Sequence, residues 1–132
     1  MRRTYYLTGI ESIDEQHGEL FERMDRLLDA CVQGEGAEEV RNTAAFLEGY
    51  VESHFAEEEE LQRSYGYPDY QRHHSRHETF IRNLAFISDE IEGNRITSAL
   101  VMQVNQLLID WMTYHIATDD RKVGEFIAKH PT

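Results

Sequence analysis

The sequence contains very little cysteine or proline, and it has no long apolar run. Cys31 is the only cysteine among 132 residues. An intramolecular disulfide and a metal cage built from thiolates are therefore excluded. No apolar stretch approaches the roughly 18 residues that a membrane-spanning helix needs. The first residues, Met-Arg-Arg-Thr-Tyr-Tyr-Leu, carry two positive charges but no apolar core, so a signal peptide is not indicated and a cytoplasmic location is expected.

Positive charge is also scarce. The chain has 13 Lys and Arg against 25 Asp and Glu, which gives a formal net charge of −12. A surface this acidic repels phosphate backbones and anionic membranes, so neither is an expected partner. The length suits one domain around one core. We therefore predict that residues 1–132 form a single domain, with an N-terminal arm over 1–12 and a bundle over 14–127.

The apolar residues recur at spacings of three and four, and no segment alternates as a strand would. Pro68 and the glycines at 34, 36, 66 and 93 divide the chain into segments of helical length. Four helices are predicted, starting near Asp14, Ala37, Asp69 and Thr97. A short C-terminal helix is predicted from about Asp119 to Lys129. Long helices joined by short connections indicate an all-α, up-down-up-down four-helix bundle.

Histidine is the residue type that the chain has in surplus, with seven copies. Five of them fall on apolar stripes, where leucine or valine would be expected: His17, His54, His73, His77 and His115. Glu58 lies on the same stripe as His54. Buried imidazoles and carboxylates are costly unless they are paired, and a metal ion would pair them. The alternative is a set of hydrogen-bonded core histidines, since chance alone would give such a pattern roughly one time in ten.

The spacing of these residues favours the metal site. His54 and Glu58 are four residues apart, and so are His73 and His77. Residues four apart project from one face of a helix, so each pair can hold the same ion or two adjacent ions.

His115 has two candidate partners. Asp119 is four residues away and fits the helical period, although it could instead cap the last helix. Asp120 is five residues away and fits only if the helix ends or distorts near Thr118. Spacing alone therefore favours Asp119.

The donor set argues against two common kinds of metal site. A zinc hydrolase of the His-Glu-x-x-His type needs Glu after the first histidine, but His73 is followed by His74. The Glu-x-x-His motif of ferritin-like di-iron proteins is absent from the sequence. Five imidazoles and two carboxylates exceed the needs of one tetrahedral zinc. They suit two adjacent octahedral ions bridged by carboxylates.

Four motifs together resemble the hemerythrin family, and its bacterial branch in particular, over about residues 8–127. They are Ile13-Asp14-x-Gln16-His17, His54-Phe55-x-x-Glu58-Glu59, Tyr67-Pro68-x-Tyr70-x-x-His73-x-x-x-His77-x-x-Phe80 and Trp111-x-x-x-His115-Ile116-x-x-x-Asp120. The resemblance implies two non-haem iron ions with an oxo or hydroxo bridge. It implies that one iron is held by three residues, His73, His77 and His115. It implies that the other is held by His17 and His54, with Glu58 and Asp120 bridging the two.

The function implied by this resemblance is reversible dioxygen binding for storage, delivery or sensing, without enzymatic turnover. Dioxygen is then the expected partner and a monomer the expected state. Two other functions stay open: an enzyme that scavenges peroxide or nitric oxide, and a sensory module read by a partner protein. Manganese in place of iron also stays open.

Some residues depart from the family pattern or receive no role in it. Tyr5 and Tyr6 stand in the arm, where the bacterial branch commonly has tryptophan. Met112 stands where the family commonly has a leucine that lines the gas pocket. His74 is expected to be solvated. Glu57, Glu59 and Glu60 are expected to form a solvated face, with Glu59 as the one that could contact a ligand side chain.

Overall fold

The computed structural model describes residues 7–130, and the regular structure in that range is helical. The elements are α1 (Glu11–Val32), α2 (Gly36–Tyr65), α3 (Tyr70–Glu92), α4 (Ser98–Asp110), a π-helical segment (Trp111–Asp120) and α5 (Arg121–Lys129). The last three follow one another without a break, because the residues at both junctions keep right-handed helical angles. They form a single rod over 98–129, here called the fourth rod. The prediction of an all-α four-helix bundle is confirmed, and the short C-terminal helix is the end of the fourth rod.

Short connections fix the order of the rods. The loops cover residues 33–35, 66–69 and 93–97. Gly66 ends α2 with a left-handed φ of 66°, and its N–H donates to the carbonyl of Arg63 at 3.2 Å. Connections this short bring consecutive helices back alongside one another in antiparallel pairs. Thr97 caps α4, since its side chain accepts the N–H of Leu100 at 3.1 Å.

The first helix begins at Glu11, three residues before the predicted start at Asp14. The carboxylate of Asp14 accepts the backbone N–H groups of Thr8 at 2.8 Å and of Gly9 at 3.1 Å. The Thr8 hydroxyl accepts the N–H of Ile10 at 3.1 Å. Asp14 therefore ties the end of the arm to the first turn of the helix. Tyr5 and Tyr6 lie outside the described residues.

The end of the arm also packs against α5 at a glycine. A Cβ built on Gly124 would lie 2.0 Å from the carbonyl oxygen of Thr8, and that atom belongs to the backbone. Thr8 is buried at this contact. Only a residue without a side chain allows so close an approach of the arm to the fourth rod.

The apolar core fills the bundle from the histidine level towards the loops at 33–35 and 93–97. All four rods contribute to it, and among its fully buried side chains are Leu20, Leu27, Val40, Leu47, Ile87, Leu108 and Ile116. Within residues 7–130, no helix is long and apolar enough to cross a membrane.

Candidate metal centre

All seven predicted ligand residues meet inside the bundle. They come from every rod: α1 supplies His17, α2 supplies His54 and Glu58, α3 supplies His73 and His77, and the π-helical segment supplies His115 and Asp120. None of these residues is more than 3% exposed to solvent. The imidazole and carboxylate atoms are thus withdrawn from water and must be satisfied by other protein groups or by a bound cation.

The seven residues form two overlapping groups. In each group the candidate ligand atoms lie within 4.8 Å of one another. The three-histidine set consists of His73, His77, His115, Glu58 and Asp120, and the two-histidine set consists of His17, His54, Glu58 and Asp120. The two carboxylates belong to both groups, as the ligands shared by two adjacent ions would.

Glu58 presents one oxygen to each set. Its Oε2 lies 3.4 Å from Nε2 of His54. Its Oε1 lies 2.5 Å from Nε2 of His73 and 3.2 Å from Nε2 of His77. The carboxylate plane therefore spans the gap between the two groups of imidazoles.

Asp120 spans the same gap from the fourth rod. Its Oδ2 lies 2.9 Å from Nε2 of His17. Its Oδ1 lies 2.8 Å from Nε2 of His73 and 3.0 Å from Nε2 of His115. Two carboxylates from different rods thus have the same divided orientation, in which one oxygen faces the three-histidine set and the other faces the two-histidine set.

These spacings fit a hexacoordinate metal. Metal–ligand bonds of about 2.1 Å at right angles place neighbouring ligand atoms about 3 Å apart. The oxygens of Glu58 and Asp120 and the Nε2 atoms of His73, His77 and His115 are buried, and they have no aligned hydrogen bond within the described chain. Five imidazoles and two carboxylates without thiolate suit a borderline-hard divalent metal such as iron or manganese.

The π-helical segment explains why Asp120 reaches the centre. A π-helix bonds residue i to residue i+5, so residues five apart share a face. The segment Trp111–Asp120 puts His115 and Asp120 on the inner face together. The preference for Asp119 on spacing alone is therefore wrong, because a spacing of four residues places side chains on one face only in a regular α-helix.

Asp119 supports the centre from outside instead. Its Oδ2 accepts the Nδ1–H of His115 at 3.1 Å and also bonds to Arg76. A carboxylate on Nδ1 fixes the tautomer that leaves Nε2 free to bind metal. The capping interpretation of Asp119 is not supported, since α5 continues the rod and has no side-chain cap.

Glu59 plays the same part for His77. Its Oε2 lies 2.8 Å from Nδ1 of His77, and its Oε1 lies 2.8 Å from Nδ1 of His74. Glu59 is only 13% exposed, so it does not belong to a solvated face. His74 is partly exposed but paired, with Glu78 2.6 Å from its other nitrogen.

Gln16 is the Nδ1 partner of His54, a role that its position in the sequence does not predict. Its Oε1 contacts Nδ1 of His54, and its Nε2 donates to Glu57 at 2.5 Å. Glu57 therefore holds the amide that orients His54 and is not merely solvated. Glu60 does match its expected exposure and pairs with Arg63 at 3.0 Å.

The charges of the centre stabilise one another. Burial tends to raise the pKa of Glu58 and of Asp120, but the facing histidines reverse this effect and hold both pKa values below their ordinary range. Burial tends to lower the pKa of His73, but Asp120 and Glu58 raise it to about 10. Without a metal, the pocket therefore holds protons on imidazole against two carboxylates. A divalent cation can replace those protons.

Aromatic rings cover three of the imidazoles. Phe55 stacks on His77 with ring centroids 3.9 Å apart, and Trp111 stacks on His115 at 3.7 Å. Tyr50 stacks on His54 at 4.7 Å. Tyr50 and Phe55 were not predicted as core residues. Tyr50 could have been found from its position one turn before His54, on the same face of α2. These rings exclude water from the centre.

Comparison with known proteins agrees with this geometry. The profile of the Hemerythrin HHE cation binding domain matches residues 8–127. A bacteriohemerythrin of Stenotrophomonas maltophilia is 30% identical over 128 residues, covering 92% of this chain and 77% of that protein. A bacteriohemerythrin of Pseudomonas aeruginosa is 34% identical over 118 residues, covering 86% and 71%. One of Clostridium acetobutylicum is 28% identical and covers 86% and 90%.

Proposed function

This chain belongs to the hemerythrin family, and we propose that it binds dioxygen reversibly at a pair of iron ions. The proposed ligands are the seven predicted residues, with Glu58 and Asp120 as the bridges. The observation that carries the proposal is the divided orientation of these two carboxylates, each with one oxygen towards either histidine set. A single-ion site would not need two such carboxylates.

The two sets differ in the number of protein ligands that they offer. The three-histidine set supplies three imidazoles and two carboxylate oxygens, and a bridging hydroxide would complete six positions there. The two-histidine set supplies one imidazole fewer, so a metal held there would keep one position open to a small ligand. When bound, a ferrous pair supplies the two electrons with which dioxygen is held.

The surrounding side chains support binding rather than turnover. Phe55 and Trp111 shield the imidazoles of the three-histidine set, and Met112 is buried in the π-helical segment. An apolar surrounding keeps water away from the metal and slows loss of the bound gas as a reactive species. We therefore propose a binding protein and not an enzyme. Its cytoplasmic location and its monomeric state stay predictions from the sequence.

The test is metal analysis of anaerobically reduced protein, followed by absorption spectra on exposure to air and on return to anaerobic buffer. We expect about two irons per chain and an absorption band that appears in air and disappears without it. One metal per chain, or mainly zinc, would contradict the paired site. A band that forms once and does not reverse, together with steady consumption of peroxide, would favour a scavenging enzyme.

Glu58→Ala is the matching variant. It removes a ligand of both sets and leaves the Nε2 atoms of His54 and His77 without their carboxylate partner. We expect loss of the paired metals and of the reversible band. A variant that keeps a normal band would show that Glu58 is not a bridge.

A further inference from the structure

Tyr50 brings a hydroxyl group to the edge of the two-histidine set. It precedes His54 by one turn of α2 and Glu58 by two, so the three residues share one face of the helix. Its ring stacks on the His54 imidazole, with centroids 4.7 Å apart and planes inclined by 19°. The residue is only 5% exposed. Tyr50 therefore covers the imidazole whose metal would have the open position.

The hydroxyl of Tyr50 has no acceptor. It is buried, and no group within residues 7–130 makes an aligned hydrogen bond to it. Phenylalanine would stack on His54 equally well without bringing a polar group into the core. A tyrosine hydroxyl at a buried position normally finds a partner, because leaving it unpaired costs free energy. We therefore expect the acceptor for this hydroxyl to be a ligand bound in the metal centre.

Two aromatic rings and a second donor surround this hydroxyl. Phe46 stacks on the ring of Tyr50 at 5.8 Å, and Phe55 meets it edge-on at 6.0 Å. The indole N–H of Trp111 faces the Tyr50 oxygen. The Trp111 N–H is also buried and has no aligned acceptor in the described chain. Two donors therefore meet beside the centre, and the indole N–H can donate to the phenol oxygen.

A phenol ordinarily keeps its proton at neutral pH, because its pKa is about 10. The hydroxyl of Tyr50 is buried and has no hydrogen-bond partner among the described residues. Tyr50 is therefore a donor at this position and not an anionic ligand.

We propose that the Tyr50 hydroxyl donates a hydrogen bond to a small ligand bound at the open position of the two-histidine set. This inference rests on the proposed function, because it needs a metal with that position open. The ligands favoured are those that carry an acceptor atom beyond the metal-bound atom, which include dioxygen and small linear anions. Tyr50 is then a residue that sets ligand preference, and Trp111 orients it.

The probe is azide, a linear anion with acceptor atoms at its end. Its dissociation constant is measured on the oxidised, metal-loaded protein by absorption titration. For Tyr50→Phe we expect about tenfold weaker binding, the effect of one hydrogen bond to a charged acceptor. The infrared stretch of bound azide should shift between water and D2O in the natural protein and not in the variant. Tyr114→Phe is the matched control, because that hydroxyl is on the surface, where the residue is 67% exposed.

Metal content is measured on all three proteins before the titration. Equal azide affinity in Tyr50→Phe and the natural protein, with full metal content, would overturn this inference and leave the proposed function intact. If Tyr50→Phe does not load metal, the test is the azide stretch of the natural protein in water and in D2O. If that band does not shift in D2O, the inference is overturned. Failure of the fully loaded natural protein to bind azide would contradict the open position itself, and with it the proposed function.

Discussion

Nε2 of His115 lies 3.0 Å from Oδ1 of Asp120, although the two residues are five positions apart in one rod. In an α-helix that spacing would turn the carboxylate away from the imidazole by more than a quarter of a turn. In the π-helical segment, side chains five residues apart lie on the same face, so the carboxylate and the imidazole meet. Short π-helical stretches occur frequently at functional sites, where they redirect a side chain. Asp119 and Asp120 are adjacent in sequence but have different partners.

The two aspartates should therefore respond differently to replacement. Asp120→Ala removes an oxygen from each histidine set, so we expect it to abolish the paired site. Asp119→Ala removes only the Nδ1 partner of His115, and we expect the metals to be kept with about 10- to 100-fold weaker affinity. Metal content and competition with a chelator measure both effects. Equal loss in the two variants would contradict the different roles assigned to them.

Replacing Glu59 tests the support of His77. Glu59→Ala removes the carboxylate that lies 2.8 Å from Nδ1 of His77. We expect metal affinity to fall by about 10- to 100-fold, because the imidazole loses its fixed tautomer and orientation. Glu60→Ala is the matched control, since Glu60 is exposed and pairs only with Arg63 at the surface. The prediction fails if both variants release metal to a chelator at the rate of the natural protein.

The stability of the metal-free protein should depend on pH, and bound metal should weaken this dependence. The pKa of His73 is about 10 in the folded chain against an ordinary value of 6.5. The protonated imidazole then stabilises the fold fully below pH 6.5, and this contribution is lost as pH rises through 10. We expect the free energy of unfolding in urea to fall between pH 7 and 10 without metal. It should change less over that range with metal, because a ligating histidine is already deprotonated.

His73→Gln is the control for this pH dependence. The variant lacks the titrating imidazole, so its metal-free form should show a flatter profile between pH 7 and 10. On the acid side, Glu58 and Asp120 have lowered pKa values, so their contribution is present above about pH 4 and is lost as pH falls further. If the free energy of unfolding falls equally in the variant and the natural protein between pH 7 and 10, the pH dependence comes from groups other than His73.

The contact between Gly124 and the arm gives a prediction about stability. Gly124→Ala places a methyl group 2.0 Å from the Thr8 carbonyl oxygen, so the arm must move away from α5. We expect a loss of about 1–3 kcal/mol, as for other overpacked contacts. Gly49→Ala is the matched control, because it lies within α2 and a Cβ there would meet nothing within 4 Å. It should raise stability by about 0.5–1 kcal/mol, since alanine favours the helix. Thermal unfolding of both variants measures the difference.

Much of the candidate site was predictable because most of it obeys the α-helical period. His54 and Glu58 share a face of α2, and His73 and His77 share a face of α3, so spacing alone pairs them correctly. Asp120 breaks that period, and only the resemblance to the hemerythrin family favoured it over Asp119. The signal of a π-helical segment is not in the local sequence.

Other features could not be predicted because they depend on contacts between rods. Gln16 in α1 orients His54 in α2, and Arg76 in α3 bonds to Asp119 in the fourth rod. These pairs are 38 and 43 residues apart in the chain. A helical pattern assigns each residue to a face but does not say which residue of another rod it meets. The early start of α1 has the same origin, since it depends on how Asp14 binds the arm.

The stacking of Trp111 on His115 has a practical consequence. Trp111 is the only tryptophan of the chain, and its ring lies 3.7 Å from that of His115, inclined by 15°. The tryptophan fluorescence of the protein therefore originates from one indole that touches the three-histidine set. Quenching of this emission reports occupancy of the centre directly, without a dye or a label.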